Sequence, residues 1–193
     1  FNISIYRHLQ KCLYKGLCPK LSTNLLLMQY KEYYQSALRH LYVCKTMMEL
    51  LDSMDRKQHL FVKRERLKLD IYYLSGYVIE TMISYTFFVR LNWQKNKDIK
   101  SCPYYEKGFK THDLSRKLSF AASNAHCDYS GVPLLGNKIN DSKVKKMFCG
   151  WSEVIRYQNP KTCMNLDFSE DDLKNYLSDI ELMVNRLKIK YCS

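Results

Sequence analysis

The sequence has 193 residues, 46% hydrophobic and 26% charged, which excludes a disordered or fibrous chain and suits one globular domain. Six glycines and four prolines are too few for a turn-rich all-β fold, and no apolar run approaches the ~18 residues of a membrane-spanning helix. A net charge of +12 points to phosphates or an acidic protein as partners, or to a solvated basic surface.

Residues 1–27 read as an N-terminal appendage. Ile5, Leu9, Leu13 and Leu17 are spaced by four, which predicts a short amphipathic helix up to Gly16. Cys18-Pro19 ends it. The apolar run Leu25–Met28 is too short for a secretory signal. The segment before Glu32 is purely basic, with Arg7, Lys11, Lys15, Lys20 and Lys31.

Residues 29–54 predict a helix. Tyr30, Tyr34, Ala37, Leu41, Cys44, Met48 and Leu51 alternate spacings of four and three, a seam for an antiparallel neighbour. The short connection Ser53–His59 makes this helix one arm of an αα-hairpin. Residues 60–93 form the other arm. Leu67, Ile71, Leu74, Val78, Met82, Tyr85 and Val89 line one side, and Leu69, Ile83 and Phe87 lie opposite. A helix apolar all round must be covered all round, by its own chain or by a second copy, and a homodimer is expected. Glu80 interrupts this surface and needs a partner if it is buried.

A lysine-rich polar loop with Pro103 follows Trp93. Thr111 then caps a helix running to about Asn124, with Asp113 in its first turn. Residues 125–142 read as a long loop. A helix is expected from Lys143 to Arg156, ended by Pro160. In the last helix Ser169 caps with Asp172 three residues on, and Leu173, Leu177, Ile180, Val184, Leu187 and Tyr191 form its seam. The sum is five or six helices and no strand: an all-α, up-and-down helical bundle in a single domain.

Eight cysteines stand at positions 12, 18, 44, 102, 127, 149, 163 and 192, with no CxxC pair and no zinc-type Cys/His spacing. Reduced thiols in a cytoplasmic protein, with no metal and no cofactor, are expected. The motifs GxxxxGK[ST], GxGxxG, HExxH, GxSxG and the EF-hand loop do not occur.

Four segments in order, YYLSGYVIETMISY, HDLSRKL, WSEVIRYQ and the acid-capped final helix, resemble the HEPN family (higher eukaryotes and prokaryotes nucleotide-binding domains) over residues 30–190. The resemblance implies a compact, often dimeric helical bundle. It implies a partner such as a nucleotidyltransferase or an antitoxin, in a defence or toxin–antitoxin setting. Many members are metal-independent ribonucleases with an arginine, four to six residues, then a histidine. No arginine here fits that pattern. Arg7 and Arg39 directly precede histidine, Arg56 and Arg116 stand at other spacings, and no histidine follows Arg156. No catalytic residue is therefore assigned. The candidate ligand-binding residues are Glu80, His112, Arg156 and Tyr157. Arg156 is the expected ion-pair partner of Glu80, His112 is expected to cap or pack, and Trp151 is expected in the core. Three functions follow: a non-catalytic protein binding a nucleotide, RNA or a partner protein; a ribonuclease with a rearranged site; or a structural interaction subunit.

Overall fold

The computed structural model describes residues 27–136, 139–158 and 168–192. The helix expected before Gly16 lies outside them. Among the described residues the fold is an all-α bundle without strands: α1 (Lys31–Ser53), α2 (Phe61–Arg90), α3 (Leu114–Ala125), α4 (Ser142–Gly150) and α5 (Glu170–Tyr191). None of these helices is long and apolar enough to cross a membrane.

α1 and α2 form the expected hairpin. The α1 seam is buried through Tyr33, Ala37, Leu41, Cys44, Met48 and Leu51, and the Cys44 thiol donates to the Ile71 carbonyl on α2. Arg64, in the first turn of α2, closes the hairpin. Its guanidinium donates to the carbonyls of Leu51 and Met54 at the end of α1, at 2.9 and 2.7 Å, and to Glu170 at the start of α5. The carbonyls at a helix C-terminus lack the regular bonds of the helix interior, and here one buried arginine ties three helix ends together.

α2 is the central helix and packs on α1, α3, α5 and a short 3-10 turn at Glu153–Tyr157. From Val78 to Phe88 every residue is buried. The chain itself supplies the cover. Phe87 is enclosed by Phe109, Tyr104 and Phe120, with ring centroids 4.3–6.0 Å away, and Leu69 is buried too. The apolar circumference that predicts a homodimer is therefore met within one chain. The segment after Trp93 is correspondingly not a plain polar loop. A 3-10 turn at Ile99–Ser101 buries Ile99, and a π-helical turn at Tyr105–Phe109 sets the Phe109 ring on Phe87 and Phe88 of α2.

α3 begins two residues later than Thr111 capping predicts. Asp113 is the N-cap and accepts from the Arg116 amide at 2.9 Å, while Thr111 accepts from the Asp113 amide. α4 is shorter than expected and ends at Gly150. The chain turns there because the Trp151 indole is drawn onto α2. Trp151 is buried, its Nε1 donates to the Tyr73 carbonyl at 3.0 Å, and its ring lies against Gly76. The loop 126–141, where described, is held down. Tyr129 pairs with Thr86 at 2.9 Å, and the Tyr191 hydroxyl bonds to the backbone of Asp128. α5 carries the expected capping box of Ser169 and Asp172, and its seam is buried.

Candidate functional site

The α2 face carrying Tyr73, Tyr77 and Glu80 follows from helical spacing, since residues 73, 77 and 80 recur every three or four positions. Glu80 is the buried end of this row, its side chain 10% exposed. His112 reaches it from the turn preceding α3. The imidazole Nδ1 lies 3.0 Å from Glu80 Oε2 and 3.2 Å from Oε1. Lys117, one turn into α3, places Nζ 3.0 Å from Oε1 and donates to the Phe109 carbonyl at 2.9 Å. Lys117 is 1% exposed. Burial pushes its pKa below the ordinary lysine value, and the Glu80 charge works in the opposite direction.

The expected pair of Glu80 with Arg156 is thus corrected. The carboxylate is taken by Lys117 and His112, because α3 and not the segment after α4 packs over this part of α2. Arg156 sits in the 3-10 turn Glu153–Tyr157, exposed. Its guanidinium donates to the Tyr157 hydroxyl and lies over the Tyr157 ring at 4.5 Å. Hydrogen bonding with Tyr73 and then Tyr157 raises its pKa further above the ordinary value. Tyr157 is 72% exposed. His112 does not cap α3; Asp113 does.

The two ends of the row are joined by aromatic rings. Tyr77 meets His112 and Trp151 edge to face, at 5.9 and 5.3 Å, and His40 of α1 approaches it at 5.9 Å. The Tyr73 and Tyr77 hydroxyls are 3.1 Å apart. Burial lowers the His40 pKa, aided by Arg39 and opposed by Glu80. Trp151 is core, as expected, and forms the floor under Tyr77. The face therefore presents in sequence a half-exposed imidazole, two half-buried phenols, and an exposed guanidinium bonded to tyrosine hydroxyls.

The chain matches no protein-family model, no curated protein and no solved structure.

The chemistry this face offers is hydrogen bonding to anions and stacking. Arginine and phenol hydroxyls donate to phosphate, and exposed rings stack on bases. Among the described residues no group of three or more His, Cys, Asp or Glu is placed to hold a metal ion. Three of the four candidate residues, His112, Arg156 and Tyr157, border this surface, and Glu80 lies beneath it. Lys117, Tyr73 and Tyr77 belong to it as well. Lys117 had a signal in the sequence. Leu114, Lys117, Ala121 and Ala125 are spaced by three and four and are all buried, so the lysine occupies a core position of α3.

Proposed function

We propose that this chain is a HEPN-like protein that binds a nucleotide or RNA without turning it over. The observation that carries this is the continuous face of His112, Tyr77, Tyr73, Arg156 and Tyr157, on a protein of net charge +12. Arg156 supplies a permanent cation for phosphate, and Tyr157 supplies an exposed ring. The free thiols of Cys44, Cys102, Cys127, Cys149 and Cys192 suit work in the cytoplasm. A nucleotidyltransferase or an antitoxin is the protein partner that the family resemblance adds.

One observation favours a second reading, a metal-independent ribonuclease. A carboxylate behind a half-exposed imidazole is the arrangement that orients a histidine for proton transfer, and Arg156 would offset phosphate charge. A gel assay with labelled single-stranded RNA separates the two. The binding reading expects a retarded band of intact RNA that Arg156→Met with Tyr157→Ala weakens by about tenfold or more. Cleavage that His112→Ala abolishes would replace it with the ribonuclease reading. Neither retention nor cleavage would leave a structural subunit.

A further inference from the structure

α1 and α5 run antiparallel, and two ion pairs fix their register. Lys45 meets Glu181 at 2.8 Å, and Asp52 meets Lys174 at 2.7 Å. The two rungs are seven residues apart on each helix, which is two turns, so one edge of α1 faces one edge of α5. By the same register the next rung sets Leu38 against Lys188 and holds no carboxylate. Apolar side chains gather on the outer side of the groove at this level. Leu38 is 36% exposed and Tyr42, one turn on, 72%. On α5, Ile189 is 78% exposed and Leu182, two turns back, 42%. Single exposed apolar residues are ordinary on a protein surface. Four from two adjoining helices, within about two turns or ~10 Å, make a patch. The charge around the patch has one sign. Over residues 31–42 and 182–192 the cations are Lys31, Arg39, Arg186, Lys188 and Lys190, against the single carboxylate of Glu32. Lys190 is paired with Asp128, and Arg186 donates to the Gly131 carbonyl. Lys31, Arg39 and Lys188 have no ion pair among the described residues.

We propose that this groove binds an amphipathic helix of a partner protein, apolar along one stripe and acidic beside it. A helix laid between α1 and α5 reaches the patch with side chains at i, i+3 or i+4, and i+7. Its carboxylates meet Lys188 and Arg39 and complete the ladder that Lys45–Glu181 and Asp52–Lys174 begin. The charge decides against two other occupants. A second copy of this chain would bring its own cations to the same place. Residues 1–26 contain no acidic residue and would do likewise. Single-stranded RNA would leave the aliphatic Leu38, Leu182 and Ile189 without a partner, since bases stack on aromatic rings. None of these residues belongs to the face of Tyr77 and Arg156, so the groove stands whether or not that face binds a nucleotide.

The experiment selects peptides against the full chain from a displayed library of helix-forming sequences about 20 residues long, randomised along one side. Fluorescence anisotropy then measures the affinity of the selected peptides. They should share an apolar i, i+3 or i+4, i+7 stripe flanked by aspartate or glutamate. Tyr42→Ser with Ile189→Ser should weaken their binding about tenfold or more, as for anchors of an interface. Arg39→Glu with Lys188→Glu should weaken the acidic peptides by a similar factor and favour versions with lysine in their place. All four positions are exposed, so both double variants should melt at the temperature of the unaltered chain. A library that yields no binder overturns the proposal, as does one that yields basic or extended sequences. So does affinity that survives both double variants, which would place the peptide elsewhere on the basic surface. Sedimentation equilibrium, and flotation with vesicles of phosphatidylcholine and phosphatidylserine, test the remaining occupants. A dimer or a lipid-bound fraction that Tyr42→Ser with Ile189→Ser abolishes would give the groove to a second copy or to a membrane, and overturn the proposal.

Discussion

Glu80 and Lys117 are both removed from water, and each is tolerable only because of the other. Taking either charge out of solvent alone costs several kcal/mol. Their 3.0 Å contact, the Lys117 bond to the Phe109 carbonyl and the Phe109 ring 5.2 Å from Nζ share that cost. His112 adds a second donor to the carboxylate, but from a half-exposed position where an interaction counts for less. The lysine is therefore the partner whose loss matters most. Lys117→Met should destabilise the protein by about 3–5 kcal/mol, because it strands a buried carboxylate. Combining it with Glu80→Leu should restore much of that loss, since two apolar side chains can fill the same space. Guanidinium denaturation of the single and double variants measures the coupling. Simple addition of the two losses would show that the charges do not depend on each other.

At the scale of elements, the site exists because three segments reach α2 at successive heights. The turn before α3 brings His112, α3 brings Lys117, and the chain beyond α4 brings Trp151 and Arg156. The last contact is set by Gly76. A Cβ there would sit 1.9 Å from Trp151 Cε2 and 2.0 Å from its Nε1. The indole cannot withdraw cheaply, because Nε1 is bonded to the Tyr73 carbonyl. Two effects oppose each other in Gly76→Ala. Alanine gains up to about 1 kcal/mol of helix propensity over glycine. The overlap with the ring is of the kind that typically costs about 1–3 kcal/mol, and at this distance it should outweigh the gain. Gly76→Ala should lower the melting temperature and red-shift tryptophan emission. A higher melting temperature would mean that the indole does not lie on Gly76.

For the whole molecule, the sixteen tyrosines decide how the fold meets alkali. Tyr33, Tyr72, Tyr129 and Tyr176 are buried, and burial pushes each phenol pKa upward. An acid with a raised folded pKa gives stability that is complete below its unfolded value and is lost as pH rises above it. For these phenols the unfolded value is about 10, so at pH 11 each costs about 1 kcal/mol. Lys117 acts with the opposite sign. Its lowered pKa means that the unfolded chain binds the extra proton, and stability gains as pH climbs toward the ordinary lysine value. Four phenols outweigh one lysine above about pH 10. The melting temperature should fall steeply there, and phenolate absorbance of these four should appear only with unfolding. Their titration in a chain that still melts cooperatively would refute this account.

Periodicity, which is local, was enough for the long helices. The seams of α1 and α5, the unbroken apolar circumference of α2, the capping box at Ser169 and the all-α bundle all follow from residues within a few turns of one another. Glu80 stands out by the same means, as a carboxylate in a helix with no polar side. Its partner does not, because which cation reaches it depends on how α3 is rotated and shifted on α2. Its place at an expected helix end, in a segment that carries the family resemblance, favoured Arg156; packing delivered Lys117 and His112. The end of α4 was likewise decided at a distance. Nothing in KVKKMFCGWSEVIR demands a stop at Gly150, and the break arises because Trp151 is drawn to a glycine 75 residues away in the chain. The sequence alone therefore determined the helices and which of their faces are buried. Only the tertiary structure decided which buried and half-buried polar groups meet, since a charge pair forms between elements whose relative placement no single element encodes.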